Sequence, residues 1–296
     1  MTTNVDNPGA SLEAIQYHYD VGNDFYLLWL GGTRAYSCAL WEDGDTLDAA
    51  QLRKIDFHIE QARAAHAGRV LDLGCGWGST LTRLVETHGV RHAVGLTLSQ
   101  AQANWVASLK QPRIEIRVEN WLDHSPTDAY DAIISIGAFE HFAKPTLSQA
   151  EKVEGYRNFF RRCRRWLKPG GRMSLQTIAY GNLRPEDKSE FIASEIFPES
   201  DLPTLADIAL ACEGLFEVKA VRNDRKDYER TSRVWLTGLK ANRAALVDMV
   251  GAEVVAKYEK FLSLFLIGFN TGRMNLLRLS LSRYDQLLNP DPDAIA

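Results

Sequence analysis

The stretch Arg69-Val-Leu-Asp-Leu-Gly-Cys-Gly-Trp-Gly78 decides the fold class of this chain. It is a short apolar run that ends in three alternating glycines, and apolar residues with helical spacing follow at Leu81, Leu84 and Val85. This pattern predicts a strand, a tight turn and a helix. Glycines let the backbone approach a ligand without a Cβ clash, and the first turn of a helix offers unpaired N–H groups. The unit is therefore typical of a ligand-binding site at the end of a parallel strand.

Strand and helix patterns continue to alternate beyond this unit. Further strands are predicted at residues 92–98, 130–136 and 172–178, with helices at residues 100–109 and 153–167 and a Pro-Gly-Gly turn at residues 168–171. Strands that alternate with helices indicate a parallel, doubly wound α/β sheet. After Pro203 the pattern changes, and two strands at residues 215–221 and 275–284 flank a long helical region at residues 234–269. We expect these last two strands to form an antiparallel hairpin that closes the sheet.

The first 65 residues carry many aromatic side chains ahead of the first predicted strand. They are Tyr17, Tyr19, Phe25, Tyr26, Trp29, Tyr36 and Trp41. We interpret residues 1–65 as a helical cap, or lid, over the ligand site. Residues 66–296 then form the main domain.

The composition argues against nucleic acid binding, a disulfide framework, a metal site and a membrane span. The 296 residues include 34 Lys and Arg against 38 Asp and Glu, a formal net charge of -4, so no overall basic field favours nucleic acid. The four cysteines form neither a CxxC pair nor a zinc-ligand spacing with histidine, which argues against a disulfide framework and a metal site. No apolar run approaches the ~20 residues of a membrane span, and the N-terminus lacks the apolar core of a signal peptide. We expect a cytoplasmic protein without an integral membrane segment, with peripheral membrane contact left open.

The spacing of the glycines discriminates among nucleotide-derived ligands. A strand followed by G-x-G-x-G serves NAD, FAD or S-adenosylmethionine, and a purely structural turn is the alternative. Here the third glycine falls one position short of the G-x-G-x-x-G dinucleotide fingerprint, and no GK[ST] follows for a nucleoside triphosphate. These two features disfavour nicotinamide cofactors and ATP.

Residues 70–78 resemble motif I of the class I S-adenosylmethionine-dependent methyltransferases, in the form used by the cyclopropane fatty acid synthase family. Further blocks, in the order of the family's motifs, lie at residues 17–25, 33–39, 95–102, 136–142 and 195–198. The group that the sequence resembles includes the mycolic acid cyclopropane synthases and related lipid methyltransferases. The resemblance implies a seven-stranded Rossmann-like methyltransferase sheet with an antiparallel C-terminal hairpin and an N-terminal helical cap. It also implies acceptor-site insertions around residues 143–155 and 180–235 of the methyltransferase domain.

The resemblance further implies which residues contact S-adenosylmethionine. They are Tyr36 and Ser37 from the cap, Asp72, Gly74 and Gly76 of the glycine loop, Thr97 and Gln102 near the ribose, and Trp121 and Leu122 by the adenine. The hydroxyl of Thr97 and the amide of Gln102 can make the ribose hydrogen bonds that an acid makes in other nucleoside-binding folds. An ordinary turn and a helix-surface position are the alternatives for these two residues, and a core or surface aromatic is the alternative for Trp121.

The chemistry implied by the family needs a base. Methyl transfer from a sulfonium to an alkene carbon leaves a carbocation, which must lose a proton. In the resembled family a bicarbonate ion accepts that proton, and Cys38 (through its backbone), Glu140, Tyr228 and Ile136 match four of the five residues that hold it. The fifth is a histidine in the family and Gln176 here, and a glutamine can donate hydrogen bonds but cannot shuttle a proton. Bicarbonate stays open as a second cofactor, and we expect the reaction to end without closing a cyclopropane ring.

Several other residues admit two interpretations. Glu140 is either a base or a structural acid paired with an arginine, and His18 and His141 are either substrate contacts or structural hydrogen-bonding groups. Basic residues around Tyr228 either attract a phosphate or carboxylate or are offset by neighbouring acids; they are Arg222, Arg225, Lys226, Arg230 and Arg233. We interpret the basic run at residues 161–165 as a solvated helix face. The helix at residues 258–269 is either core or oligomer packing, or a wall of the acceptor pocket.

Three functions are compatible with these residues. The leading hypothesis is methyl transfer to an alkene carbon of a lipid, prenyl or polyketide-like acceptor, in lipid metabolism or natural product biosynthesis. The second is a small-molecule C- or N-methyltransferase of specialised metabolism. The third is a non-catalytic S-adenosylmethionine-binding protein, against which the set Cys38, Glu140 and Tyr228 argues. A narrow apolar acceptor tunnel favours acyl chains, whereas a short polar bowl favours a compact metabolite.

Overall fold

The computed structural model describes residues 9–11, 13, 21–184, 187, 191–196 and 199–287. Parts of the predicted cap and of the family blocks, among them Tyr17, His18, Tyr19 and Pro198, lie outside the described residues. The glycine loop, the predicted strands and the predicted cofactor and catalytic residues lie within them.

Within the described residues, seven strands form one sheet. They are β1 (Arg69–Leu73), β2 (His92–Thr97), β3 (Ile114–Val118), β4 (Tyr130–Ile136), β5 (Leu167–Tyr180), β6 (Phe216–Asn223) and β7 (Met274–Arg283). Their order across the sheet is β3-β2-β1-β4-β5-β7-β6. Neighbours among β1 to β5 are parallel, and β7 is antiparallel to both β5 and β6. The predicted doubly wound α/β sheet of seven strands with an antiparallel C-terminal pair is confirmed.

Three details of the sheet differ from the sequence pattern. Strand β3 is missing from the prediction because it is only five residues long and lies at the edge of the sheet, although Ile-Glu-Ile-Arg-Val alternates apolar and charged residues. Strand β7 is not the outer half of a simple hairpin, since it lies between β5 and β6 and is connected to β6 through helices. The Pro-Gly-Gly segment at residues 168–171 lies inside β5, where the register with β4 shifts between Tyr130 and Ala132.

In the described part of the chain, two α-helices precede the sheet: α1 (Asn23–Leu30) and α2 (Leu47–Gln61). The others are α3 (Ser79–Glu86), α4 (Gln100–Ser108), α5 (Gln149–Trp166), α6 (Leu205–Cys212), α7 (Arg225–Ala241), α8 (Arg243–Val250) and α9 (Ala252–Asn270). The helical region predicted at residues 234–269 is therefore three helices and begins earlier. Gly251 separates α8 from α9 with a φ of 86°, a conformation that glycine adopts readily.

The segment predicted as an insertion at residues 143–155 includes the start of α5. Ser148 caps this helix, because its side chain accepts a hydrogen bond from the backbone N–H of Glu151, and the Glu151 carboxylate accepts one from the backbone N–H of Ser148. The division into a cap, a methyltransferase domain and two insertions stays a prediction.

Aromatic side chains form two packed clusters. In one, α5 contributes Tyr156 and Phe159 to a cluster with residues of β4 and β5. In the other, Trp29 of α1 contacts Trp235 of α7 and Tyr258 of α9, with ring centroids 6.0 and 6.1 Å apart. Such edge-on and tilted pairs are favourable beyond the area that they bury. The first described helix of the predicted cap is thus held against α7 and α9.

Candidate active site

A cavity of about 160 Å³ lies where the carboxyl ends of β1, β2 and β4 meet. We call it the cofactor cavity. Eight of the nine predicted cofactor residues line it: Tyr36, Ser37, Asp72, Gly74, Gly76, Thr97, Gln102 and Trp121. The ninth, Leu122, does not line this cavity and packs against the hydrophobic core instead. Ligands of open parallel sheets bind at this kind of position.

The three glycines of the loop have different structural roles. All have positive φ, 79° at Gly74, 53° at Gly76 and 80° at Gly78. A Cβ at Gly74 would lie 2.5 Å from the Ala138 Cβ, and one at Gly78 would lie 2.8 Å from the Val106 Cγ2. No atom lies within 4 Å of the Cβ position of Gly76, which lines the cofactor cavity. Gly74 and Gly78 therefore permit close packing, whereas Gly76 leaves space for a ligand.

Two polar side chains meet at the end of β2, on the side predicted for the ribose. The Thr97 hydroxyl donates to Gln102 Oε1 over 2.7 Å, and the Ser99 backbone N–H donates to Thr97 Oγ1 over 3.1 Å. Ser99 also caps α4. Thr97 therefore forms the turn that was the alternative to a ligand contact and also lines the cavity. Gln102 is likewise buried and lines the cavity.

Trp121 likewise combines its two predicted roles. It lines the cofactor cavity, and its ring packs at centroid distances of 5.2 Å from Phe142 and 5.5 Å from Phe159. The core contacts fix the orientation of the ring, which can then serve as an apolar wall.

Buried charge marks the other end of the cofactor cavity. Asp72 is 2% exposed, its Oδ2 has no hydrogen-bond partner among the described residues, and burial raises its pKa to about 7. Lys54 of α2 also lines the cavity, and its Nζ donates to Ser37 Oγ over 2.9 Å. Sequence motifs do not single out Lys54, because one lysine in a surface-like helical pattern is usually solvated.

These residues fit S-adenosylmethionine. The open space at Gly76 accommodates a ligand against the backbone, and the unpartnered Asp72 oxygen suits an ammonium group. The hydroxyl and amide of Thr97 and Gln102 suit a ribose, and Trp121 suits an adenine.

A second cavity, of about 340 Å³, adjoins the first and shares Tyr36, Gly137 and His141 with it. We call it the acceptor cavity. Most of its other lining is apolar: Ile178, Leu183, Leu202, Phe261, Leu264, Phe265, Ile267, Gly268 and Met274. The part of α9 predicted as either core or pocket wall serves as both, since Phe261 and Phe265 are buried and line this cavity.

Glu140 brings a carboxyl group into this apolar cavity. It lies in the short 3-10 turn Phe139–His141 after β4 and is 7% exposed. The Ile178 backbone N–H donates to its Oε1 over 2.5 Å, and its Oε2 has no hydrogen-bond partner among the described residues. Burial raises its pKa to about 7, against which the Ile178 hydrogen bond acts. The structural alternative of an arginine partner is not seen in the described part of the chain, and a carboxyl with a pKa near 7 suits a general base.

Tyr228 of α7 forms part of an aromatic wall of the acceptor cavity. Its ring stacks on Phe269 at a centroid distance of 4.4 Å and meets Phe265 edge-on at 5.3 Å. The face of an aromatic ring is the electron-rich side that attracts cations. Tyr36, which separates the two cavities, adds a second such ring.

The remaining predicted catalytic residues do not line the acceptor cavity. Ile136 lines the cofactor cavity, whereas Cys38 and Gln176 line neither. Arg278 of β7 is the hydrogen-bond partner of both Cys38 and Gln176. Its Nη2 donates to the Cys38 carbonyl over 3.3 Å, and its Nε donates to Gln176 Oε1 over 2.9 Å. The register of β5 with β7 explains this contact, because Gln176 lies directly opposite Arg278. Burial also raises the pKa of the Cys38 thiol to about 12, so the thiol is not a nucleophile.

Two histidines near the site are held neutral. His141 lines both cavities, its Nδ1 lies 2.7 Å from Ser200 Oγ, and burial lowers its pKa to about 4. His58 of α2 contacts Gln176 Oε1 at 3.2 Å, and burial together with the nearby cations lowers its pKa well below the usual value. Both imidazoles are therefore neutral at neutral pH, so each keeps a single N–H for hydrogen bonding and neither acts as an imidazolium acid.

The basic residues around Tyr228 do not form an anion site in this structure. Arg222 pairs with Asp224, Lys226 and Arg233 pair with Glu229, Arg225 donates to two backbone carbonyls, and Arg230 stacks over Trp41. Neighbouring acids therefore offset Arg222, Lys226 and Arg233, whereas Arg225 and Arg230 contact backbone carbonyls and an aromatic ring instead. Arg273 is the basic residue that lines the acceptor cavity, and it is exposed.

The basic run on α5 is only partly a solvated face. Arg161 pairs with Glu154 over 2.5 Å. Arg164 is 7% exposed, and its Nε donates to the Tyr284 carbonyl over 3.0 Å, which ties α5 to the end of β7. The prediction of a solvated face is wrong for Arg164, because that residue points into this contact.

Within the described ranges, no group of three or more His, Cys, Asp or Glu side chains is arranged to hold a metal ion. No helix in the described ranges has the length and apolar character needed to cross a bilayer.

Comparison with known proteins places this site in context. Residues 7–279 match the family model of mycolic acid cyclopropane synthetase. Cyclopropane mycolic acid synthase 3 of Mycobacterium tuberculosis is 34% identical over 295 residues, which cover 92% of this chain and 94% of that protein. The S-adenosylmethionine-dependent methyltransferase UmaA of the same organism is 32% identical over 290 residues, which cover 92% of this chain and 97% of that protein.

Solved structures give the same result. The mycolic acid cyclopropane synthase CmaA1, complexed with SAH and CTAB, matches with a TM-score of 0.84 and 31% identity over 94% of this chain and 100% of that chain. The cyclopropane synthase MmaA2 from Mycobacterium tuberculosis matches with a TM-score of 0.84 and 29% identity over the same shares. The range matched by the family model includes every residue that lines the two cavities.

Proposed function

Because this chain belongs to the mycolic acid cyclopropane synthetase family, we propose that it transfers a methyl group from S-adenosylmethionine to an alkene carbon of a hydrophobic acceptor. It is an S-adenosylmethionine-dependent methyltransferase, as its motifs predict. One observation carries the proposal. A cavity that fits the cofactor and an apolar cavity with a buried carboxyl group adjoin at Tyr36, Gly137 and His141.

In the mechanism we propose, Glu140 accepts a proton. S-adenosylmethionine supplies an electrophilic methyl group, whose bond to sulfur breaks as the alkene electron pair forms the new bond to carbon. The adjacent acceptor carbon is then a cation, which the aromatic rings of Tyr36 and Tyr228 in the cavity wall stabilise. Glu140 takes a proton from a neighbouring carbon, and the pair of electrons left by that C–H bond restores a double bond. The apolar lining excludes the water that would otherwise trap the cation.

The residues that the family resemblance implies for bicarbonate do not all line one cavity. Glu140 and Tyr228 line the acceptor cavity, but Ile136 lies in the cofactor cavity. Cys38 and Gln176 contact the Arg278 guanidinium instead. The base that we propose is therefore the Glu140 carboxylate itself.

Activity is accordingly expected to be independent of bicarbonate. Removing carbon dioxide from the buffer leaves the Glu140 carboxylate in place, so the initial rate with a methyl acceptor is expected to change less than twofold between depleted buffer and buffer with millimolar bicarbonate. Rates are measured by transfer of radiolabelled methyl groups at constant pH. A saturable, several-fold activation by bicarbonate would contradict this assignment of the base.

The acceptor that we propose has an apolar body with an alkene. The volume of about 340 Å³ lies in the usual range of roughly 300–1,000 Å³ for small-molecule pockets. Ile267 and Arg273 line the cavity and are exposed, which marks where it opens. Unsaturated acyl, prenyl and polyketide-like chains satisfy these conditions. The named acceptors of the relatives, mycolic acids, belong to the first of these classes.

The product is expected to be a methylated alkene and not a cyclopropane. Ring closure requires a proton to be removed from the newly added methyl group, and the family histidine is replaced by Gln176, whose oxygen is engaged by Arg278 and His58. Purified enzyme is incubated with S-adenosylmethionine labelled in the methyl group and a panel of unsaturated lipids and prenyl compounds. Proton NMR then separates the isomers, since ring-methylene signals lie upfield and vinyl signals do not.

Two outcomes of this experiment would be adverse. Upfield ring-methylene signals would refute the predicted product while leaving methyl transfer to an alkene intact. Label found only on a nitrogen or oxygen of compact amines or phenols, with none on any alkene, would refute the proposed function.

A further inference from the structure

Lys54 is a buried amine beside the cofactor cavity that no sequence motif singles out. It is 2% exposed and lies on α2, outside the Rossmann-like sheet. Lysine is among the residues least often buried without a partner, because removing a charge from water is costly. Burial, and then the neighbouring Arg278 cation, lower the pKa of Lys54 to about 7.

The described residues give this amine an incomplete set of partners. Its Nζ donates to Ser37 Oγ over 2.9 Å, and no carboxylate forms an ion pair with it within the described ranges. A lysine ammonium has three N–H donors. Because Lys54 and Ser37 both line the cofactor cavity, an anionic group of a bound ligand would complete the set.

The same cavity is lined by a buried acid, Asp72, that lacks a hydrogen-bond donor for one of its oxygens in the described part of the chain. Asp72 has one oxygen, Oδ2, without a partner among the described residues, and each of Asp72 and Lys54 shifts the pKa of the other. The two side chains thus present one acceptor and one donor of opposite charge at one end of the cavity. A zwitterion with a carboxylate and an ammonium would satisfy both groups at once.

We propose that Lys54 binds the carboxylate of the methionyl group of the cofactor, together with Ser37, while Asp72 receives its ammonium. This inference rests on the cofactor occupying the cofactor cavity. Lys54 then acts as a cofactor-binding residue that recognises the amino-acid end, whereas Thr97, Gln102 and Trp121 serve the nucleoside end.

A purely structural role for Lys54 is the competing explanation. Gln51, one turn earlier on α2, holds the same cap segment, since its Nε2 donates to the carbonyls of Ala35 over 3.1 Å and Ser37 over 2.8 Å. Gln51 is fully buried and does not line the cofactor cavity. It therefore supplies a matched control, because Gln51→Met loosens the segment without removing a charge from the cavity.

The test compares three adenosine ligands by titration calorimetry. S-adenosylhomocysteine carries both the carboxylate and the ammonium, its decarboxylated analogue carries only the ammonium, and methylthioadenosine carries neither. Lys54→Met is expected to weaken S-adenosylhomocysteine binding about ten- to a hundredfold, the usual effect of a lost hydrogen bond between charged groups. Binding of the other two ligands is expected to change less than about threefold.

Each other outcome has a distinct meaning. Equal losses for all three ligands in Lys54→Met, as expected for Gln51→Met, would overturn the proposal in favour of structural support. A loss for the decarboxylated analogue as large as that for S-adenosylhomocysteine would show that Lys54 does not act on the carboxylate. Lys54→Gln, which retains an N–H donor for Ser37, is the second variant if Lys54→Met does not fold. Wild-type protein that binds none of the three ligands would refute cofactor binding itself, a failure separate from that of Lys54.

Discussion

Replacing Gly76 with valine is expected to abolish binding of S-adenosylmethionine at usable concentrations. The Cβ position of Gly76 has no protein atom within 4 Å and the residue lines the cofactor cavity, so a valine side chain would occupy the space of the ligand. Overpacking costs about 1–3 kcal/mol, and a β-branched residue at a φ of 53° adds backbone strain. The steric block predicts a loss of affinity of about a hundredfold, measured by calorimetry with S-adenosylhomocysteine, and the backbone strain lowers the stability of the fold.

A second glycine separates the two causes. Gly214 also has a positive φ, 73°, and open space at its Cβ position, but it lies outside both cavities. Gly214→Val therefore carries the backbone strain without the steric block. We expect it to lower the melting temperature and leave ligand affinity within about threefold of the wild type. Wild-type affinity in folded Gly76→Val would show that the loop does not contact the ligand.

The cofactor half of the site follows from the sequence because it is local. The strand, the glycine loop and the start of α3 occupy one short stretch. The glycines at positions 74 and 76 indicate in the sequence where the backbone adopts positive φ. The main parallel strands are likewise visible, since each is a continuous apolar run. Strand β3 is not, because this short edge strand alternates apolar with charged residues and has no continuous apolar run.

The acceptor half depends on contacts between distant residues, which a single sequence does not show. Cys38 matches a family residue and Gln176 stands where the family has a histidine, yet Arg278 contacts both of them from the last strand. That contact requires β7 to insert beside β5, whereas the sequence pattern predicts only an antiparallel pair. Lys54 is missed for a related reason. Its burial results from the packing of α2 over the cavity, and its helix has no charge pattern that distinguishes it from a surface lysine.

Replacing Glu140 with glutamine is expected to lower turnover about 10²- to 10⁴-fold, the usual contribution of a general base. A glutamine side chain keeps the size of Glu140 and an oxygen that can accept from the Ile178 N–H, but it cannot take a proton. Because Glu140 lines the acceptor cavity and not the cofactor cavity, binding of S-adenosylhomocysteine is expected to stay within about threefold of the wild type. The measurements are kcat from labelled methyl transfer and affinity from calorimetry.

The pH dependence gives a second readout of the same residue. The base must be ionised to accept a proton, and burial raises the pKa of Glu140 to about 7. Wild-type kcat is therefore expected to fall as pH decreases through about 7, with a plateau above it. The residual activity of Glu140→Gln is expected to lack this ionisation. An unchanged pH profile in the variant would assign the ionisation to another group.

The melting temperature of Glu140→Gln distinguishes a loss of catalysis from a loss of folded protein. The pKa of Glu140 is raised in the folded protein from its ordinary value of 4.5, so this group favours the folded state most below pH 4.5 and loses that contribution as pH rises through about 7. At pH 8 the wild type holds an uncompensated carboxylate in an apolar cavity, and the neutral glutamine removes that cost. Glu140→Gln is thus expected to melt at the same or a higher temperature at pH 8 while it turns over far more slowly. Normal turnover in this variant would show that the carboxylate is structural, and a large fall in melting temperature would show that the hydrogen bond to Ile178 needs the charge.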